Sequence, residues 1–393
     1  MKLAFAALLS ALATAPGATP GVTATQIVIG GTGPLSGPES LYAPVLRGAQ
    51  AYFAYVNDHG GVFGRKIVYK VVDDGYDPSR TVQATLQLVQ QDHVLAIFNT
   101  VGTEHSLAIR QYLNAQHVPE LFVGSGADAI ATQTRQYPWT MGFLPSFSAE
   151  GALYGREVAH ARPGARVAVL YENSEYGKEL LAGVKRGLGS HGRIVAKASY
   201  EVTDADVSSQ VAKLRGSRAA VFVLLTLPKQ TIQAMIGAVK LGWRPHWIVS
   251  SVSIDPFVMN VVRASAGRNV PEGAVSSAFL HDPTNPTQTR ASAVKLYRQI
   301  LRRYAPDADW KAVAHIYGMA AAYTMVDALK QAGRNPTRDT LLKAATHLNE
   351  RNPFLLPGIP IRTTPRDYFP IGNTHLVTYR KGFWQVGRLV PLR

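Results

Sequence analysis

In the first third of the chain, short apolar runs alternate with segments whose apolar residues recur at helical spacing. Short apolar runs such as 27–29 and 120–123 have the length of buried strands. Between them lie segments with one apolar face at helical spacing, of which 44–58 is the clearest. The order strand–helix–strand with short connections predicts an α/β unit, a parallel sheet covered by helices. The predicted strands are 27–29, 66–72, 94–98 and 120–123, and the predicted helices are 44–58, 78–92 and 104–115.

The same pattern repeats in the middle of the chain and predicts a second α/β unit of similar build. The segment 136–151 joins the two units and has no clear periodicity. The last third is mostly helical and ends in a predicted hairpin that turns at Lys381-Gly382. The predicted strands here are 166–170, 194–200, 219–225, 246–251, 374–379 and 383–389, and the helices are 176–188, 206–215, 228–241, 287–304, 309–332 and 337–348.

A glycine- and proline-rich stretch follows the first apolar run. We predict that it ends the strand and forms a loop whose backbone can approach a ligand closely. In parallel α/β domains ligands bind at the carboxyl ends of the strands, where this stretch lies. The spacing of Gly31, Gly33 and Gly37 also nearly matches the glycine motif of dinucleotide-binding domains. Gly37 is one position late, Pro34 interrupts the motif, and the acid expected about 20 residues further on is missing. The spacing therefore argues against a nucleotide site.

Composition indicates a fully folded protein, and the charge distribution argues against nucleic-acid binding. Of 393 residues, 46% are hydrophobic and 17% are charged, which is enough apolar material for full globular cores in two or three domains. The formal net charge is +15, but Lys and Arg are dispersed, with no basic stripe interleaved with aromatic residues. A basic solvated surface is therefore favoured over nucleic-acid binding.

The N-terminus has the pattern of a signal peptide, predicted over 1–24. Lys2 precedes an apolar stretch that is too short to cross a bilayer, and small residues follow it. Cleavage after Ala13, Ala15 or Ala24 fits the small-residue rule, which predicts an exported, soluble, periplasmic protein. The chain contains no cysteine, so it has no disulfide and no lipid-anchoring thiol.

Reactive and metal-binding motifs are missing from the sequence. Asp73, Asp74 and Asp77 crowd one loop, but strand-end and N-cap roles explain them better than a calcium site. The histidines lack metal-ligand spacing, and Gly124-Ser125-Gly126 is too short for a nucleophile elbow. We therefore predict no metal, no cofactor and no enzymatic activity.

Four stretches carry a resemblance to the type I periplasmic binding proteins, specifically the Leu/Ile/Val-binding branch that serves ABC importers. They are GPLSGPESLYAPVLRGAQAYFAYVNDHGGVFGRKI, VVDDGYDP, NSEYGKELLAGVKRGL and LLPGIPI, in this order and spacing. The resemblance covers 25–389. It implies two lobes, each a mainly parallel sheet flanked by helices, that close on a ligand about three crossovers near Gly142, Ala278 and Gly372. Lobe one is then 25–142 with 278–371, and lobe two is 143–277 with 372–393.

The resemblance also implies ligand-binding positions in lobe one. Tyr42 matches a cleft aromatic, and Thr103 matches a hydroxyl that holds the ligand carboxylate. Ser125 and Gly126 match hydroxyl and backbone donors to the same carboxylate, in an alignment that can slip by one residue. Thr103 and Ser125 also suit plain capping and turn roles, which remain the structural alternative.

In lobe two, the resemblance implies that Tyr176 covers the ligand and that Thr226 or Leu227 lines the same wall. Helix-start packing is the alternative for Tyr176. Amino-acid binders of the family hold the ligand ammonium with a glutamate. Ser251 stands at that position, and no acid adjoins it in the sequence.

The ligand predicted from these residues is a small carboxylate with an apolar or aromatic body and no free amine. A branched-chain amino acid is the alternative, with Glu104, Glu172 or Asp255 reaching its ammonium. The predicted function is a receptor that delivers this ligand to the membrane permease of an ABC importer. A ligand-sensing module of the same fold is the alternative.

Overall fold

A computed structural model describes residues 19–392, and most of the predicted signal peptide lies outside this range. Within it, the Gly21 carbonyl accepts the Val28 N–H at 2.7 Å, and the Thr23 carbonyl accepts Arg65 Nε at 2.7 Å. Residues 19–24 therefore pack onto the first strand. Of the three candidate cleavage positions, those after Ala13 and Ala15 keep these contacts.

The strands form two large sheets and one short ribbon. The first sheet has the order β2-β1-β3-β4-β5 and is parallel throughout. In chain order the strands are β1 (Gln26–Gly33), β2 (Lys66–Asp73), β3 (Ile97–Phe98), β4 (Glu120–Val123), β5 (Thr140–Gly142), β6 (Ala165–Glu172), β7 (Gly192–Tyr200), β8 (Val221–Leu225), β9 (His246–Val249), β10 (Val275–Ala278), β11 (Asn349–Glu350), β12 (Ile361–Arg362), β13 (Asn373–Arg380) and β14 (Phe383–Pro391).

The second sheet has the order β14-β13-β10-β9-β8-β6-β7. Its strands from β6 to β10 are parallel, while β13 and β14 form an antiparallel hairpin that adds to the edge at β10. The predicted hairpin and its turn at Lys381-Gly382, where both φ angles are positive, are therefore confirmed. So is the predicted α/β class, with two mainly parallel sheets.

Helices flank both sheets, and their packing defines two units. In the first unit, α11 packs on α1 and α12 packs on α11, against the five-stranded sheet; in the second, α5 packs on α6 and α8 packs on α9. The helices are α1 (Ala43–Asp58), α2 (Pro78–Gln90), α3 (Thr103–Ala115), α4 (Asp128–Thr132), α5 (Phe147–Ala161), α6 (Glu175–Leu188), α7 (Ser208–Gly216), α8 (Pro228–Lys240), α9 (Pro256–Ala266), α10 (Ser292–Tyr304), α11 (Val313–Gln331) and α12 (Arg338–Ala345), with 3-10 turns at Ser40–Tyr42 and Ser251–Ser253.

The sequence pattern missed or misplaced several elements. The first glycines do not break the strand, because β1 continues to Gly33. At Gly31 an added Cβ would lie 2.5 Å from the Phe98 carbonyl, so glycine here serves close packing inside the sheet. The joining segment 136–151 contains β5 and the start of α5, and the pattern does not predict α9 or β10.

Helix α5 crosses α6 at very short range along a seam of glycines. A Cβ built on any of four glycines would lie 2.2–2.3 Å from a backbone oxygen of the opposing helix. Such a distance is far below a van der Waals contact, so no larger side chain fits without moving one helix. The glycines of this seam are Gly151 and Gly155 on α5 and Gly183 and Gly187 on α6.

We expect Gly183→Ala to lower the free energy of unfolding by about 1–3 kcal/mol, the usual cost of overpacking a core. Denaturant unfolding measures the change. Gly216→Ala is the matched control, because it ends α7 with open space around its Cβ position. The control should be neutral or more stable by up to about 1 kcal/mol, since alanine favours helix. Equal effects of the two substitutions would contradict the close crossing.

Candidate ligand-binding cleft

A cavity of about 1060 Å³ lies between the two units. Its size is at the upper end for a small-molecule site. The carboxyl ends of strands from both sheets supply its walls, as expected at the point where the strand order of such a sheet reverses. The lining residues that matter below are Tyr42, Thr103, Gly124, Tyr176, Leu227 and Ser251.

The first-unit wall is built on the start of α3. Thr103 is the first residue of this helix and lines the cavity, and its hydroxyl lies 2.8 Å from that of Ser125. Ser125 Oγ also accepts the Ala127 N–H at 3.1 Å and can donate its own proton to Thr103. In that arrangement the Thr103 proton is available to a ligand, beside backbone N–H groups that have no partner within the helix. This wall therefore offers donors to an anion.

Two predicted contact residues lie behind this wall. Ser125 is fully buried, and neither Ser125 nor Gly126 lines the cavity, whereas Gly124 does. A Cβ on Gly126 would lie 1.9 Å from the Pro145 carbonyl oxygen, so glycine is required there for packing. Of these three residues only Gly124 lines the cavity, so Ser125 can act on a ligand only through Thr103.

Aromatic rings form the opposite wall. Tyr176, in the first turn of α6, packs edge-on against Phe147 with ring centroids 4.9 Å apart. Its hydroxyl donates to Ser250 Oγ at 3.0 Å and lies 3.3 Å from the Thr226 carbonyl. The ring therefore covers the cavity while its polar tip is already hydrogen-bonded. Leu227 lines the same wall.

Thr226 does not reach the cavity. Its side chain is buried and pairs with the Thr231 hydroxyl at 2.6 Å, so it supports the wall from behind. Tyr42 lies on the first-unit side, next to Tyr76 with centroids 6.4 Å apart, and its hydroxyl donates across the cleft to the Val252 carbonyl at 3.3 Å.

An acid adjoins Ser251 in space, although none does in the sequence. Glu150 of α5 accepts the Ser251 N–H at 3.0 Å and its hydroxyl at 2.7 Å. It also accepts Tyr154 Oη at 2.7 Å and Ser250 Oγ at 3.2 Å. Burial raises the pKa of Glu150, which is 1% exposed and does not line the cavity. Both carboxylate oxygens of Glu150 therefore already accept hydrogen bonds from protein groups.

The three acids named from the sequence, Glu104, Glu172 and Asp255, all line the cavity, and Glu104 Oε1 accepts the Glu175 N–H at 2.7 Å. Burial raises the pKa of Glu172 to about 7, although Tyr200 Oη donates to it at 3.2 Å. Burial likewise raises the pKa of Asp255 to about 6, although its carboxylate accepts the Phe257 and Val313 N–H groups, each at 2.9 Å. Each carboxylate therefore already has protein partners.

Hydrogen-bonded bridges join the units across the cleft, among them four that involve residues 42, 104, 179 and 255. Besides the one from Tyr42 to Val252, Asp255 of the second unit accepts from Val313 at the start of α11. The other two bridges link Glu104 Oε1 to the Glu175 N–H at 2.7 Å and Glu179 to the Asp128 N–H at 2.8 Å. The described arrangement is therefore one in which the units meet around the cavity.

Residues 19–392 contain no group of three or more metal-binding side chains in reach of one ion. Over the same residues, every helix is either too short or too polar to traverse a bilayer.

This fold and cleft are those of a solute-binding receptor. The family model described as periplasmic binding protein matches residues 26–382, and the chain belongs to this family, whose members are non-enzymatic receptors for solutes. The predicted resemblance to its Leu/Ile/Val-binding branch is confirmed.

Relatives and solved structures support this placement. The Leu/Ile/Val-binding protein homolog 1 of Brucella suis is 26% identical over 335 residues, covering 84% of each chain. A Thermus thermophilus branched-chain amino acid ABC transporter structure with bound valine has a TM-score of 0.79 at 18% identity, covering 92% of this chain and 96% of that one. A Rhodopseudomonas palustris solute-binding protein in complex with 3,4-dihydroxybenzoic acid has a TM-score of 0.78 at 18% identity, covering 93% and 97%.

A carboxylate bound at the start of α3 should lose affinity in both Thr103→Val and Ser125→Ala. Hydrogen bonds to charged groups contribute about 1.5–3 kcal/mol, so Thr103→Val should weaken binding about tenfold or more. Ser125→Ala should have a smaller effect, because it removes only the group that orients Thr103. The double variant should resemble Thr103→Val alone, since the two hydroxyls act in series.

Titration calorimetry measures these affinities. Thr132→Val is the control, because this threonine is exposed on α4 and does not line the cavity. Wild-type affinity in Thr103→Val, with the fold intact, would remove Thr103 from the site.

Proposed function

We propose that this chain is the exported receptor of an ABC importer and that it traps a small carboxylate between its two lobes. The ligand has an aliphatic or aromatic body and lacks a free amine. The observation that carries this proposal is the composition of the cavity: anion donors at the start of α3 face aromatic and aliphatic walls, and the acid beside Ser251 is already occupied.

The donors select a carboxylate. The Thr103 hydroxyl and the free N–H groups of the first turn of α3 converge on one side of the cavity. Helix starts favour negative charge because their N–H groups point outward and the helix dipole is positive there. Opposite them, Phe147, Tyr176 and Leu227 offer apolar surface that suits a hydrocarbon body.

The amine is disfavoured at Ser251. An ammonium enclosed between the lobes needs an acceptor, because an unpaired buried cation is costly. Ser251 directs its proton to Glu150, and Glu150 itself accepts from Tyr154, Ser250 and Ser251. What remains for the ligand is a neutral hydroxyl oxygen. This supports an amine-free acid.

Branched-chain amino acids are the second candidate. The observation that favours them is that Glu104, Glu172 and Asp255 all line the cavity. The names of similar proteins support both candidates. The Brucella homolog carries the Leu/Ile/Val-binding name, the Thermus structure holds valine, and the Rhodopseudomonas structure holds 3,4-dihydroxybenzoic acid.

The lobe boundaries proposed are those of the sequence: 25–142 with 278–371, and 143–277 with 372–393. Sheet membership supports them, because β1 to β5 lie in one sheet and β6 to β10, β13 and β14 lie in the other. The partner proposed is the membrane permease of the importer, to which the closed receptor delivers its ligand.

A calorimetric screen tests the ligand class. It pairs leucine, valine and phenylalanine with their amine-free analogues and with benzoate and 3,4-dihydroxybenzoate. We expect the amine-free acids to bind at least about tenfold more tightly than the paired amino acids, because one unpaired ammonium costs more than 1.4 kcal/mol. Binding of the amino acids alone would overturn the proposed ligand class and restore the second candidate.

Ligand binding should also bring the lobes together, since the cavity has walls from both. Small-angle scattering is expected to give a smaller radius of gyration with a saturating tight binder from the screen than without it. An unchanged radius at full occupancy, shown by calorimetry on the same sample, would speak against closure about the crossovers. This outcome is separate from the choice of ligand.

A further inference from the structure

Glu39 is a fully buried carboxylate on the first-unit side of the cleft. It lies between β1 and the 3-10 turn at Ser40–Tyr42. Neither carboxylate oxygen has a hydrogen-bond partner of standard length and angle. Neither oxygen is accessible from the cavity, so a ligand does not supply the missing partner.

The groups that face Glu39 come mostly from the second unit. These are Glu172 at the end of β6, together with Lys229 and Gln230 in the first turn of α8. The amide of Gln230 is also fully buried and unpartnered at both atoms. The other titratable groups near Glu39 are the hydroxyls of Tyr42, Tyr76 and Tyr200. Glu39 is therefore enclosed only where the two units meet.

An ionised carboxylate is poorly suited to this place. Burial without a full set of donors disfavours the charged form, and the negative charge of Glu172 adds to the effect. The nearby Gln230 amide and, more weakly, the positive charge of Lys229 oppose it. Burial and the charge of Glu172 outweigh this opposition and raise the pKa of Glu39 to about 7. A protonated Glu39 carries an O–H group, which the unpartnered amide oxygen of Gln230 can accept.

We propose that closure of the two lobes takes up a proton at Glu39, so that the ligand and a proton bind together. The inference rests on the lobe closure proposed above. In the open form Glu39 leaves Glu172 and α8 and is hydrated, and its carboxyl ionises as usual. In the closed form the carboxyl is neutral and faces Gln230.

The sign of the pH dependence follows from linkage. The pKa of Glu39 is about 7 in the closed form, against an ordinary value of 4.5 when hydrated. The closed form binds the proton more tightly, so its advantage grows as the pH falls below about 7 and levels off near 4.5. Between pH 8 and pH 6 the affinity for ligand should rise about tenfold. A carboxylate ligand stays ionised throughout this window.

Calorimetry in two buffers of different ionisation enthalpy counts the protons. With benzoate and with leucine as probes, we expect the wild type to take up close to one proton more per bound molecule than Glu39→Gln at pH 6, and close to the same number at pH 8. Glu39→Gln places a neutral side chain of the same shape beside Gln230. It should bind at pH 8 more tightly than the wild type does at pH 6, near the affinity that the wild type reaches only below about pH 4.5, because its side chain is always neutral.

Two further variants separate the assignment to Glu39 from its alternatives. Asp206→Asn is the matched control, because Asp206 is exposed, lies outside the cavity and has a lowered pKa through its bonds to Ser208. It should keep the full pH dependence. Glu172→Gln should keep most of it, with a smaller shift, since one repulsive charge is lost. A pH dependence as large in Glu39→Gln as in the wild type, or one that disappears only in Glu172→Gln, would overturn the assignment.

Scattering from the ligand-free chain tests the coupling even if neither probe binds. The wild type should have a smaller radius of gyration at pH 5.5 than at pH 8, whereas Glu39→Gln should have one radius at both. A wild-type radius independent of pH, together with no proton uptake on binding, would refute the proposal. Failure of both probes to bind, with the pH-dependent radius intact, would count against the ligand class and support the proton coupling.

Discussion

The contact between α5 and α6 determines one wall of the cleft. The four-glycine seam brings the helix axes so close that backbone meets backbone. At this distance Phe147, at the start of α5, reaches the ring of Tyr176 at the start of α6. Helix α5 also carries Glu150, whose carboxylate lies behind Ser251 and fixes the loop after β9 by accepting its hydrogen bonds. A wider crossing would open the aromatic wall and withdraw the carboxylate that fixes this loop.

The two sheets share one construction, which explains why the cleft lies where it does. In the first sheet β1 is flanked by β2 and β3, and in the second β6 is flanked by β7 and β8. Each order reverses at its first strand, so the following loops diverge and leave a crevice at the carboxyl ends. The units place these crevices face to face. Thr103 follows β3 on one side, and Leu227 follows β8 on the other.

The sequence was sufficient for the α/β class, the repeat and most elements, because alternating strands and amphipathic helices have strong local patterns. It failed at α5, whose interior glycines resemble helix breakers and whose buried Glu150 interrupts the apolar face. Glu150 was therefore missed, since it meets Ser251 from 101 positions away in the chain. Periodicity also could not show that Ser125 lies behind Thr103, because both are polar residues at strand ends.

The first and last strands of the chain lie in different sheets, which has a practical consequence. β1 belongs to the first sheet and β14 to the second, so the two described ends of the chain are attached to different bodies. A donor and an acceptor fluorophore fused at these ends would change their separation if the bodies rotate about the cleft. Labels at these two ends would make the molecule a ratiometric optical reporter of ligand binding, because neither end lines the cavity.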